Sequence, residues 1–413
     1  MAGQGHTGRT RRAAIRRTAG FGLAALLLVG GCTAAPDRTD ATLTGIQETL
    51  DARAEAVLSH DIGGYLAALD PSAATLRARE RKEFDHLADV PLGSWEYRVK
   101  GVRHRGARAV ADTELRYRIA GYDSAPVTTS RTLELSERDG RWYVTGDRAG
   151  TGSSQLLWQQ GEVQVVRGSR SLVLGVGQDG KRLRALAAAA DRAVPVVSRA
   201  WPSTWPGRVV VLVPSSVEAM GRLLGVPAAG YRGIAAVTTG ESAPAGRSSA
   251  DRVIVNPDAY GVLSEFGRRI VLTHETTHVA TRAHTSAATP MWLSEGFADW
   301  VAYRGSGRTA GETASELQTA VRAGEVPVAL PDDEDFAFGG DTNALARAYE
   351  GGWLACELIA ERWGEEQLTA FYRSVGEGEH RDVAVERALG EVLGTTPAEF
   401  TSLWRDYLRE RLE

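Results

Sequence analysis

Hydrophobic periodicity changes character twice along the chain. Leu43, Ile46, Leu50, Val57 and Leu58 recur at helical spacing, and a second helical stretch around Tyr65–Leu69 ends near Pro71. From Trp95 the period is two: Trp95, Tyr97 and Val99 alternate with Glu96, Arg98 and Lys100. Ala111, Thr113, Leu115, Tyr117 and Ile119 repeat that alternation, as do Leu133 and Leu135. Asp139-Gly140 then turns the chain into Trp142-Tyr143-Val144. Helices followed by an antiparallel sheet with one wet face predict an α+β domain over residues 41–150.

Gly146 to Ser154 is rich in Gly and Ser and places a domain boundary near residue 150. Beyond it, Val163–Val166 and Leu172–Val176 read as a hairpin, and residues 181–200 as an Ala-rich helix. Val209–Val213, Gly233–Val237 and Val253–Val255 are short apolar strands. Ser215 with Glu218 gives a capping-box start to a short helix. A long helix is expected from about Ala259 to Thr281, with Leu263, Phe266, Ile270 and Val271 facing the core. Further helices are expected near Leu317–Val321, from Ala344 onward, and through the tail, where Trp363, Phe371, Tyr372, Phe400 and Trp404 supply packing.

The long helix carries His274-Glu275-Thr276-Thr277-His278, an H-E-x-x-H pattern with an apolar lead-in. Residues i and i+4 project from one face, so both imidazoles can grip one zinc ion. Glu275 is rotated off that pair, where it can act as general base toward water. A zinc site needs a third protein ligand, and Glu295 lies seventeen residues after His278, which leaves room for a loop and a returning helix. Asp299 is one turn further on the same face, placed to accept from the far nitrogen of a ligand histidine. His284, in the polar loop from Thr281 to Pro290, is expected to be solvated.

H-E-x-x-H followed by Trp292-Leu293-Ser294-Glu295-Gly296-Phe297-Ala298-Asp299-Trp300 resembles the gluzincins, zinc metallopeptidases with a His, His, Glu ligand set. The wording around Glu295 is similar to the aminopeptidase-N-like branch and to small bacterial peptidase MA-like domains. Glu295 and Asp299 match the pattern of thermolysin-like enzymes. The resemblance covers roughly residues 158–412 and implies a gluzincin-type domain over 151–413 that hydrolyses a peptide or protein substrate. It implies metal ligation by His274, His278 and Glu295, and places Tyr349 as the hydroxyl that steadies the oxyanion. In such domains an extended peptide pairs with the sheet edge nearest the metal, here either of the last two strands. The motif by which aminopeptidases of that branch hold a free amine is missing: Gly233-Ile234-Ala235-Ala236-Val237 has no carboxylate. A typical aminopeptidase is therefore not expected. Residues 41–150 resemble the NTF2-like (SnoaL-like) domains in element order and in the ending Asp139-Gly140-Arg141-Trp142-Tyr143-Val144. His60, His86 and His104 are expected to be solvated there.

Residues 1–31 hold five arginines, no acid, and an apolar run from Phe21 to Val29, which reads as an export signal. Leu28-Val29-Gly30-Gly31-Cys32 resembles a lipobox, implying cleavage before Cys32, its lipidation, and anchorage to the outer face of a bacterial membrane. Residues 32–40 form a polar tether. Without the signal, 43 cations stand against 52 acids, a net charge of −9. That balance argues against nucleic acid and for anchorage by lipid rather than by a basic patch. Cys356 lies in an apolar helical run and reads as a buried thiol. The acidic run Asp332–Asp335 reads as a solvated loop at the cleft rim or as a calcium site. Two functional classes remain: a lipid-anchored zinc hydrolase, or a surface lipoprotein that binds a partner and keeps a structural zinc.

Overall fold

The computed structural model of the chain describes residues 38–239, 250–338 and 340–413. The export signal and Cys32 lie outside the described residues. Helices come first: α1 (Arg38–Leu58), α2 (Ile62–Ala67) and α3 (Ala74–His86). Helix α1 begins inside the stretch expected as tether. Helix α3 was not legible in the sequence. It is charged on all sides, only Leu76 and Glu80 are buried, and so it shows no apolar period.

Four strands follow as a simple antiparallel meander, β1 (Leu92–Arg105), β2 (Arg108–Ile119), β3 (Val127–Arg138) and β4 (Arg141–Ala149). Strand β2 alternates strictly between buried and more exposed positions, as the sequence period of two requires. Asp139 and Gly140 both take positive φ (51° and 75°), the conformation a two-residue hairpin turn needs. Helices then sheet is thus the observed order, and α1 packs Ile46 and Leu50 against the sheet's apolar face.

That core contains a cation. Arg53 is 1% exposed and ion-paired to Glu80 at 2.5 Å and to Asp147 at 3.0 Å. It also donates to the Tyr65 hydroxyl (2.8 Å), and Tyr65 donates in turn to Glu80 (2.6 Å). Arg131 holds the other oxygen of Asp147. Glu80 and Asp147 are tolerable in a dry core only because these cations sit between them. His86 departs from expectation: it is half-buried, with Nδ1 2.7 Å from the carbonyl oxygen of Trp158.

The second half opens with the expected hairpin, β5 (Val163–Arg167) and β6 (Ser171–Val176). Helix α4 (Gly180–Ala200) crosses over to β7 (Val209–Val213), which lies parallel to β6. Helix α5 (Val217–Leu224) is capped by Ser216, whose side chain accepts from Ala219 N–H, and not by Ser215. Strand β8 (Ala236–Thr239) starts three residues later than expected, and β9 (Arg252–Val255) completes a mixed sheet of order β5-β6-β7-β9-β8. Trp158, Leu172, Leu174 and Val176 share one apolar cluster with Trp95 and Tyr117. Residue 150 therefore marks a change of sheet rather than a gap in the core, and Thr42–Glu413 form one compact unit.

The long helix is in fact two. Helix α6 (Pro257–Gly261) is capped by buried Asn256, and α7 (Glu265–Thr281) by Ser264. Leu263 falls in the break between them. The remaining helices are α8 (Met291–Tyr303), α9 (Ala310–Thr313), α10 (Ser315–Arg322), α11 (Thr342–Trp363), α12 (Glu365–Gly376), α13 (Arg381–Ala388) and α14 (Pro397–Leu412). They surround Phe297, Trp353, Phe371, Tyr372, Phe400 and Trp404 in a second core. Cys356 is fully buried there, as expected, and burial pushes its thiol pKa well up. No helix of the described residues is long and apolar enough to cross a membrane.

Replacing Arg53 by Met leaves Glu80 and Asp147 short of a countercharge inside the core. The expected cost is about 3–5 kcal/mol, read as a lower urea midpoint with unchanged m-value.

Candidate metal centre

Helix α7 is polar yet buried, and its threonines explain how. Thr273, Thr277 and Thr281 each return their hydroxyl to the carbonyl four residues back, at 2.8, 2.8 and 3.0 Å. All three are buried, with each hydroxyl satisfied inside the helix. On another face of the helix His274 and His278 stand one turn apart, with Nε2 atoms 3.0 Å from each other.

Helix α8 brings the acids. Glu295 Oε2 lies 3.1 Å from His274 Nε2 and 3.4 Å from His278 Nε2, and Asp299 Oδ1 lies 2.8 Å from His274 Nδ1. Helix α11 then closes on α8 through two glycines. A Cβ at Gly296 would strike the Gly352 backbone, and one at Gly352 would lie 2.7 Å from the Trp292 carbonyl. Backbones this close leave α11 little room to shift, and they set Tyr349 beside the pair of histidines, its ring 6.4 Å from that of His274.

Among the described residues, His274, His278 and Glu295 are the group of donors able to share one ion, all within 4.8 Å of one another. An ideal tetrahedral zinc with bonds of about 2.0–2.1 Å has ligand–ligand edges of about 3.3–3.4 Å. The observed separations of 3.0, 3.1 and 3.4 Å are close to those edges. The chemistry agrees. His274 Nδ1–H donates to Asp299, which leaves Nε2 bare in the neutral ring, aimed at the Glu295 carboxylate. Two acceptors at that distance need a cation or a proton between them. Burial pulls the His274 pKa down, but Asp299 and Glu295 outweigh it, so the pKa stands well above the ordinary histidine value. Burial pushes Glu295 up, but both histidines outweigh it and bring it well below the carboxylate range. The Tyr349 hydroxyl is held well above the tyrosine range by burial, then by Glu295, Asp299 and Glu275, so it stays a donor.

The donors open into a cleft of about 700 Å³. Ile234, Val237, Met291, Phe338 and Leu345 give it an apolar wall. Strand β8 lines the cleft and is the sheet edge beside the site; β9 is enclosed between β7 and β8. Glu275 is buried, and its Oε2 accepts from the Thr238 hydroxyl of β8 at 2.6 Å. No motif marks Thr238 in the sequence, because the contact joins residues thirty-seven apart. His284, expected to be solvated, is half-buried and packs edge-on to Trp201 at 5.5 Å. In the acidic run, Asp333 reaches the cleft, where it accepts from Met291 N–H (2.9 Å) and pairs with Arg381 (2.6 Å). Asp332 accepts from Glu334 N–H (2.9 Å) within its own turn.

No family model matches the chain, and no curated protein matches it. Among solved structures, an M1 zinc metallopeptidase from Deinococcus radiodurans aligns over 74% of this chain and 62% of its own, with 15% identity and a TM-score of 0.34. The chain thus spans less than two thirds of that peptidase. Yeast LTA4 hydrolase aligns over 66% of this chain and 43% of its own, with 14% identity and a TM-score of 0.36. A SEC-C motif protein from Rhodopseudomonas palustris aligns over 23% of this chain and 71% of its own, with 20% identity and a TM-score of 0.18. Likeness this slight carries no argument about activity, and the site stands on its own geometry.

Asp299 and Glu295 favour the protonated form of metal-free His274, so a metal ion at Nε2 competes with a proton. Affinity for zinc is expected to rise with pH, with proton release on binding, measured by titration calorimetry in buffers of different ionisation enthalpy. The same raised pKa stabilises the metal-free fold below the unfolded histidine pKa, and that contribution is lost as pH rises through the folded one. Asp299→Asn should weaken zinc binding about 10–100-fold, read by competition with a chromophoric chelator.

Proposed function

We propose that this chain is a zinc-dependent metallopeptidase. The observation that carries the reading is the convergence of His274, His278 and Glu295 on one point of a cleft beside buried Glu275. A structural zinc is closed by four protein ligands, whereas three here leave a position for water or substrate. A zinc ion so held supplies Lewis acidity, which brings the pKa of water toward neutrality and polarises a carbonyl. Glu275 takes the proton of the attacking water and returns it to the leaving amine nitrogen. Tyr349 donates to the carbonyl oxygen as negative charge grows on it.

The substrate is a peptide or protein, held away from its amino terminus. Of the described carboxylates lining the cleft, Glu275 and Glu295 belong to the chemistry, and Asp333 is engaged by Arg381 and Met291 N–H. A free α-amine finds no unengaged acid there, which favours internal peptide bonds.

Glu275→Gln should retain about one zinc per chain and lose turnover of a quenched-peptide library by about a thousandfold or more. Tyr349→Phe should lower kcat by about 10²–10³ with little change in KM. Cleavage by Glu275→Gln at the wild-type rate would sink the mechanism.

We further propose, on the sequence alone, export and lipid anchorage at Cys32 on the outer face of a bacterial membrane. Cys32→Ala should move the protein from the membrane fraction to the soluble one, followed by immunoblot; retention in the membrane fraction would exclude this anchor.

A further inference from the structure

We propose that Thr238 is a positioning residue for Glu275, a role that rests on the peptidase reading of this site. The Thr238 hydroxyl has two acceptors in reach, the Glu275 carboxylate oxygen Oε2 at 2.6 Å and the Glu275 main-chain carbonyl at 3.0 Å. It carries one proton. The shorter, charge-assisted bond to Oε2 takes it. Oε1 is then the oxygen left to collect and return a proton.

The anchor is firm because the strand is. Thr238 pairs with Val253, and Ala236 with Val255, in the antiparallel ladder of β8 and β9. The entry to β8 is tied as well: Asn256 donates its main-chain N–H to the Ala235 carbonyl (2.9 Å) and its side-chain amide to the Tyr231 carbonyl (2.8 Å), and Asn256 is fully buried. Glu275 has a flexible side chain and sits on a different element, α7. Without a partner its carboxylate is free to exchange rotamers, and a base misplaced by about 1 Å can cost about a hundredfold in rate. Thr238 removes that freedom by tying the base to the sheet. A helix that carries both ligands and base positions the ligands through its own repeat, but the base, rotated off that face, takes its orientation from the neighbouring strand.

The test uses the full chain with Thr238→Val, which keeps the side-chain shape, and Thr238→Ser, which keeps the hydroxyl. Zinc content, kcat and KM are measured for each, and crystal structures of all three proteins record the Glu275 rotamer. Thr238→Val is expected to keep its zinc, hold KM within about twofold and lose kcat about 10–100-fold, with Glu275 spread over more than one rotamer. Thr238→Ser is expected to restore kcat to within about threefold and a single rotamer. The same single Glu275 rotamer in Thr238→Val overturns the role, as does a kcat unchanged by that substitution. A serine variant as impaired as the valine one, or a fall in kcat that tracks lost zinc, overturns it too. A wild-type protein that cleaves no peptide counts against the peptidase reading alone, since the rotamer comparison still decides this one.

Discussion

Everything at the site follows from two acceptors facing each other. Once Asp299 fixes the proton on His274 Nδ1, the bare Nε2 points at the Glu295 carboxylate 3.1 Å away. That arrangement is unfavourable unless a positive charge stands between them, and His278 adds a third donor at 3.0 Å from the first. A proton is one source of that charge, and the attraction between the partners raises the His274 pKa and lowers that of Glu295. A divalent cation supplies it better, because it satisfies three donors at once where a proton bridges two.

Holding that unfavourable cluster requires stiffness around it. The threonine hydroxyls of α7 bond within their own helix, so the helix is buried with those hydroxyls satisfied. Gly296 and Gly352 let α8 and α11 approach backbone to backbone, which brings Tyr349 beside His274. Here the glycines act through what they lack. A single methyl between the helices would move the Tyr349 hydroxyl away from the donor set.

The amino-terminal sheet takes no part in the donor set, yet it is continuous with the domain that does. Trp95 and Tyr117 of that sheet pack their rings against Trp158 at 5.5 and 5.1 Å, and Arg252 of β9 is ion-paired to Asp123 at 2.6 Å. Strand β9 carries β8, which lines the cleft and holds Glu275. The two halves thus meet through the same sheet that hydrogen-bonds Glu275, which is more than a tether between independent modules would provide.

What the sequence determined by itself were the features with local periods or spacings. Helical spacing placed α1 and α4, alternation placed β1 to β4, and the i, i+4 histidines with Glu275 between them marked α7. Glu295 and Asp299 were legible because one turn of helix separates a ligand from its neighbour's partner. Tertiary structure alone decided what depends on distant segments meeting. Helix α3 carries no apolar stripe, since only Leu76 and Glu80 are buried on it and the reason for Glu80 to be buried is Arg53 on another helix. The choice of β8 over β9 as the cleft edge turned on strand order, which no local pattern encodes. The hydrogen bond from Thr238 to Glu275, the packing of His284 against Trp201 and the engagement of Asp333 by Arg381 likewise join residues far apart in the chain. Periodicity reports which face of an element is apolar; it does not report which polar atom a distant fold will bring to meet it.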